Sequence, residues 1–300
     1  MSDRTPGSRA KWEERYWVSA DGLRLHYRDY AGRADRPPLL CLHGLTRNGR
    51  DFEGLAERLG GQWRLIVPDF RGRGLSEWDA VPERYSPPTY TADIIGLLDQ
   101  IDIEKAAFIG TSLGGLVTMG IAAISPDRIA GAVLNDIGPH LEVQGLDRIR
   151  SYVGRPVHFA SWDAAAAALA AQNKAIHPVY RGADWLRMAR RMCRELGHGI
   201  SFDYDMAVAQ NVLASASAPQ VDAWPFFRAL SVAPLLILRG ELSDLLSAET
   251  ALRMVGQHPD AELVVVPNVG HAPDLQEEAA SRGIDRLLAK VARGFAQVKN

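Results

Sequence analysis

The sequence predicts an α/β protein: a mostly parallel central sheet with helices on both faces, interrupted by a helical insertion. Three observations carry that expectation. Short, fully apolar runs alternate with stretches of helical periodicity, as in parallel sheets covered on both sides. The first of these runs end in glycine-rich loops bearing polar residues, among them His43, Asp69 and Ser112. The alternation then lapses for about eighty residues before resuming. The expected division is one α/β core made of residues 1–138 and 222–300, with a helical cap or lid, residues 139–221, inserted in it.

From the N-terminus, Tyr16 to Ser19 and Leu23 to Tyr30 predict two strands around an Asp21-Gly22 turn. Leu23, Leu25 and Tyr27 alternate with Arg24, His26 and Arg28, which predicts one solvated face for the second strand. Leu39 to Leu42 is a wholly apolar strand running into His43-Gly44-Leu45-Thr46. A helix follows on Phe52, Leu55 and Leu59, then a strand over Arg64 to Val67 and the loop Asp69-Phe70-Arg71-Gly72-Arg73-Gly74. Ile94, Leu97, Leu98 and Ile101 mark the helix before the next strand.

That strand, Ala106 to Ile109, stops at Gly110-Thr111-Ser112-Leu113-Gly114, and a helix begins just beyond. Gly110 and Gly114 keep side chains out of the tight strand-to-helix turn, so the Ser112 hydroxyl can stand exposed above the sheet edge. The helix N-terminus aims unpaired N–H groups toward whatever Ser112 attacks. Ile129 to Leu134 is the next strand, ending at Asn135-Asp136. Pro139 to Val221 reads as helices, including the alanine-rich run Ala164 to Ala171 capped by Ser161 or Asp163. Strands return at Leu235 to Leu238 and Glu262 to Val266, with helices from about Ala248 and over about Gln276 to Ala296.

Composition sets bounds. Three hundred residues, 47% hydrophobic and 23% charged, describe a globular chain with a large core. A net charge of −2 gives no basic field for nucleic acid or an anionic membrane, so neither is expected as a partner. Arg4, Arg9 and Arg15, interspersed with acids, predict a solvated surface. Cys41 belongs to a buried strand and Cys193 reads as a surface thiol, so no disulfide is expected and a reducing cytoplasm suits the chain. The first residues lack an apolar leader core, and no apolar run reaches eighteen residues, so neither secretion nor a membrane span is expected.

Two returning strands end in residues that serine chemistry needs. Asp244 follows the first and His271 the second. A serine hydroxyl needs a base, and the imidazole needs a carboxylate to fix its tautomer and stabilise its cation. The order Ser112, Asp244, His271 is the one expected with a G-x-S-x-G elbow.

Together, His43-Gly44, the Asp69 to Ser76 loop, Gly110 to Gly115, Gly240 to Asp244 and Gly270-His271 resemble the α/β-hydrolase superfamily across nearly the whole chain outside the insertion. The resemblance implies nucleophile Ser112, base His271 and acid Asp244, with an oxyanion hole from the N–H groups of Leu45 and Leu113. Asp136 also follows a strand, and some relatives take their acid from that place; chain order favours Asp244. The resemblance implies a serine hydrolase of small carboxylic esters or lactones. The alternatives are a carbon–carbon hydrolase of ring-cleavage diketones, a cofactor-free perhydrolase or haloperoxidase-like activity, or a slowly hydrolysing ligand receptor. Dehalogenases and epoxide hydrolases need an aspartate where Ser112 stands.

No cofactor or metal is expected, because the histidines lack ligand spacing and no dinucleotide glycine pattern is present. His43 reads as shaping the oxyanion loop and, secondarily, as touching substrate. Arg71 and Arg73 are expected to hold their loop through salt bridges. In the insertion, His140, Trp162, Trp185 and His177 are ordinary core or surface residues by default and candidates to line the pocket.

Overall fold

A computed structural model describes residues 11–197, 199–214 and 221–298. Arg4 and Arg9 lie outside the described residues; Arg15 is exposed and pairs with Glu13. In chain order, the first half contains β1 (Glu13–Val18), β2 (Arg24–Tyr30), β3 (Leu39–Leu42), α1 (Glu53–Leu59), β4 (Leu65–Pro68), α2 (Pro87–Gln100), β5 (Ala106–Thr111), α3 (Leu113–Ile124) and β6 (Ile129–Asn135). Then follow α4 (Val143–Tyr152), β7 (His158–Phe159), α5 (Trp162–Asn173), α6 (Gly182–Met192), β8 (Cys193–Leu196), β9 (Gly199–Phe202), α7 (Ala209–Ala214) and α8 (Trp224–Arg228). The chain closes with β10 (Leu235–Gly240), α9 (Ala248–Gly256), β11 (Ala261–Val266) and α10 (Glu278–Val298).

Eight strands form one sheet in the order β1-β2-β4-β3-β5-β6-β10-β11. β1 and β2 pair antiparallel, as do β2 and β4, and the remaining pairs are parallel. The wholly apolar runs become the central strands because both of their faces are covered. Two apolar clusters do the covering. One joins Leu40, Phe108, Leu134 and Ile237 to α2, α3 and α8, and the other joins Cys41, Ile109, Val133 and Leu238 to α1 and α10.

Parallel strands share their direction, so β3, β4, β5, β6, β10 and β11 end along one edge of the sheet, where loops gather polar side chains.

Three expectations need correction. The second strand has no plainly solvated face: His26 is buried, and its Nδ1 lies 2.8 Å from the Asp69 carboxylate. The chain between β6 and β10 is not purely helical, since β7, β9 and β8 form a small antiparallel sheet. Cys193 is not on the surface; it is buried in β8, and burial raises its thiol pKa to about 12. The alanine-rich run is the packed helix α5, capped by Ser161, whose hydroxyl accepts the Ala164 N–H at 3.1 Å. Its Ala165, Ala166 and Leu169 pack with Trp185, Met188 and Ile200 into a third apolar cluster apart from the sheet. Among the described residues, no helix is long and apolar enough to cross a membrane.

Candidate active site

Ser112 sits between β5 and α3 with φ 52° and ψ −116°, a conformation that costs a non-glycine residue energy. Its surroundings leave no room for bulkier neighbours. A Cβ on Gly110 would lie 2.5 Å from the Gly114 carbonyl oxygen, and one on Gly114 would lie 2.1 Å from that of Leu42. The Ser112 N–H donates to the Asn135 carbonyl at 3.1 Å, which ties the turn to the end of β6.

His271 arrives from the loop after β11, with Nε2 3.0 Å from Ser112 Oγ. Its Nδ1 is 2.8 Å from Asp136 Oδ2. An ionised carboxylate only accepts hydrogen bonds, so Nδ1 carries the proton and Nε2 is left free to accept from the serine hydroxyl. Asp136 is fully buried and also has positive φ, 53°. Its Oδ1 accepts the Gly240 N–H at 2.7 Å, and its Oδ2 also accepts from Ser243 Oγ at 2.6 Å. Three donors thus fix a carboxylate that has no access to water.

The carboxylate against His271 is therefore that of Asp136, and the expectation for Asp244 is overturned. Asp244 instead accepts two hydrogen bonds from Arg148 of α4, at 2.5 and 2.7 Å. Burial opposes its charge, but the Arg148 bonds and charge outweigh that and hold its carboxyl below the ordinary value. The physical reason is distance along the chain. Asp136 follows β6 directly, beside β10 in the sheet, whereas Asp244 lies four residues beyond β10, where α4 faces it.

The loop after β3 closes the other side. A Cβ on Gly44 would lie 3.7 Å from Ser112 Cβ, so this loop runs next to the serine. His43 is buried: Nδ1 donates to the Gly44 carbonyl at 2.7 Å, and Nε2 accepts the Phe70 N–H at 3.1 Å. Burial lowers its pKa to about 4, so it stays neutral. Arg73 Nε donates to the Leu45 carbonyl at 3.0 Å, while its Nη1 binds the Arg71 carbonyl and Tyr90. Arg71 pairs with Asp21, Asp79 and Asp93 as expected; Arg73 holds its loop through carbonyls and a phenol rather than through salt bridges. Leu113, as the first residue of α3, has no intrahelical acceptor for its N–H.

These elements border a cavity of about 370 Å³ lined by Ser112, His271, Leu45 and residues of α4, α5 and α6. Of the residues expected to line it from the insertion, only His177 does so. Burial lowers its pKa to about 4, and its ring stacks on Tyr180 at 4.4 Å. His43, His140, Trp162 and Trp185 do not line the cavity. His43 is walled in behind the loop and His140 is exposed. Trp162 packs on the third cluster under the Arg190 guanidinium, 4.8 Å from its ring, and Trp185 lies in that cluster. The sequence reading missed Arg47, Arg148, Arg155 and Tyr152 in the lining, because only the docking of α4 brings the last three to the serine. Among the described residues, no group of histidine, cysteine and acidic side chains could hold a metal ion.

With this geometry in view, residues 39–282 match the model of the alpha/beta hydrolase family, and the chain belongs to that family. A curated relative is the 3-hydroxybutyrate-oligomer hydrolase of Cupriavidus necator, 34% identical over 280 residues, 87% of this chain and 92% of that protein. A second is the 2-(acetamidomethylene)succinate hydrolase of Mesorhizobium japonicum, 30% identical over 83% of this chain and 88% of that protein. Among solved structures, an alpha/beta hydrolase from Novosphingobium aromaticivorans superposes with TM-score 0.90 at 51% identity, covering 94% of this chain and 99% of that one. The chain is a hydrolase by these relationships.

Proposed function

We propose that the chain is a serine hydrolase that cleaves a small carboxylic ester through an acyl-enzyme on Ser112. One observation carries this reading: the unbroken path from Ser112 Oγ to His271 Nε2 at 3.0 Å and from His271 Nδ1 to Asp136 Oδ2 at 2.8 Å. In it, His271 takes the serine proton as Oγ attacks the ester carbonyl. Asp136 keeps the tautomer and stabilises the imidazolium. The N–H groups of Leu45 and Leu113 receive the developing oxyanion, each worth about 3 kcal/mol of barrier by analogy with other donors. His271 then returns its proton to the leaving alcohol and activates water for deacylation. Ester rather than another bond is supported by the similarity to a 3-hydroxybutyrate-oligomer hydrolase. That likeness favours esters of short hydroxy acids, lactones included, and the cavity volume suits them.

We read residues 139–221 as a lid over this site. Its separate apolar cluster and its share of the cavity wall support that role.

The test is fluorophosphonate labelling together with turnover of 4-nitrophenyl acetate and butyrate. Rapid labelling of the protein, absent in Ser112→Ala, with repeated turnovers is expected. Binding of the esters without nitrophenolate release would replace the enzyme by a receptor.

A further inference from the structure

The charges on the cavity wall do not balance. Three arginines line it, Arg47, Arg148 and Arg155. Arg47 is neutralised by Asp51 through two hydrogen bonds, at 2.7 and 2.6 Å. Arg148 is neutralised by Asp244 in the same two-pronged way. The remaining acid of the wall, Asp274, is matched by Arg191 from behind, at 3.1 Å. Arg155 is left over. It is exposed and forms no ion pair among the described residues.

Its backbone, by contrast, is well held. Val153 is buried, and the Gly154 N–H donates to the Tyr204 hydroxyl at 3.1 Å. Gly154 has φ 72°, and a Cβ there would lie 2.3 Å from the Ala209 side chain. Pro156 restricts the chain on the other side. A long cationic side chain on a fixed base, beside a small cavity and without a partner, is an anchor for an anion. A planar guanidinium matches a carboxylate with two parallel hydrogen bonds.

We propose that Arg155 is a specificity residue that binds the free carboxylate of the substrate, so that the preferred substrates are anionic esters such as short linear hydroxy-acid oligomers. The proposal rests on the ester reading above. Because the contact persists from bound substrate through the transition state, its loss raises KM and leaves kcat little changed.

The probe is the linear dimer of 3-hydroxybutyrate against the same dimer with its terminal carboxylate made a carboxamide. Each has one ester bond and nearly the same shape. The wild-type ratio of kcat/KM, acid over amide, is expected to exceed ten. In Arg155→Gln it should fall about tenfold, through KM, and Arg155→Lys should keep part of it. Calorimetry on Ser112→Ala supplies a readout independent of turnover: tighter binding of the acid, abolished in Ser112→Ala/Arg155→Gln. An unchanged ratio in Arg155→Gln, or equal binding of acid and amide by Ser112→Ala, overturns the proposal. If the wild type cleaves neither compound while Ser112→Ala still prefers the acid, the ester reading falls and the carboxylate anchor stands.

Discussion

Around the sheet, Leu236, Ile237 and Leu238 of β10 are fully buried, and two apolar clusters cover it, one shared with α2 and α3 and the other with α1 and α10. The chain from α4 to β9 meets that body differently. Arg148 grips Asp244, and Arg191 and Tyr180 share Asp274. Asn48 and Arg50 donate to the carbonyl of Arg191, and Arg50 also pairs with Asp203 at 2.7 Å. The Gly270 N–H, next to His271, donates to the Ile176 carbonyl at 2.7 Å. The sheet is thus held by area removed from water, whereas the second region joins apolar packing of Ile149, Leu146, Tyr152 and Phe202 on the first cluster to a set of directional polar contacts. The first kind of cohesion is encoded in local periodicity. The second depends on partners far apart in the chain.

Substitutions should separate the two regions by size of effect. Ile237→Ala, in the sheet, is expected to cost about 2–5 kcal/mol in chemical denaturation, because it leaves a cavity where nothing can collapse. A loss below about 1 kcal/mol would mean that the sheet core is loosely packed. Next come the buried histidines, one in each region. His43 and His177 are both lowered from 6.5 to about 4 by burial. The unfolded chain therefore binds more protons than the folded one between those values. Stability is full above about pH 6.5 and falls as pH drops toward 4, by roughly 1–2 kcal/mol per histidine at pH 5. Denaturation of wild type and His177→Asn at pH 7 and 5 checks this: the variant should lose less on acidification, and an equal loss would contradict it. Smallest is Arg148→Met. The pair with Asp244 is partly exposed, so its removal should change global stability by less than about 1 kcal/mol. A larger loss would show that this contact belongs to the cooperative core.

The same contrast explains what could be read in the sequence. The strands, Ser112 and His271 were legible because each follows from a local pattern: an apolar run, a glycine-flanked turn, a histidine just past a strand. Asp244 and Asp136 both satisfied the local requirement for an acid after a strand. Choosing between them needs two facts that no local pattern holds. One is that Gly240 N–H and Ser243 Oγ converge on Asp136. The other is that Arg148, almost a hundred residues before Asp244 in the chain, claims its carboxylate. The small sheet of β7, β8 and β9 escaped because strands of two to four residues are too short to show alternation. His177 was within reach of the sequence, but Arg155 was not, since its value lies in the pairing of every other charge around it.

The account turns on which carboxylate serves His271, and parallel kinetics of Asp136→Asn and Asp244→Asn on one soluble ester test that directly. Asp136→Asn should lower kcat roughly 10⁴-fold while Ser112 stays in place, as expected when the imidazole loses its orienting acid. Asp244→Asn should stay within about tenfold of wild type, because it loosens only the Arg148 contact. The reverse order, with Asp244→Asn the crippling change and Asp136→Asn nearly normal, would contradict the site as described.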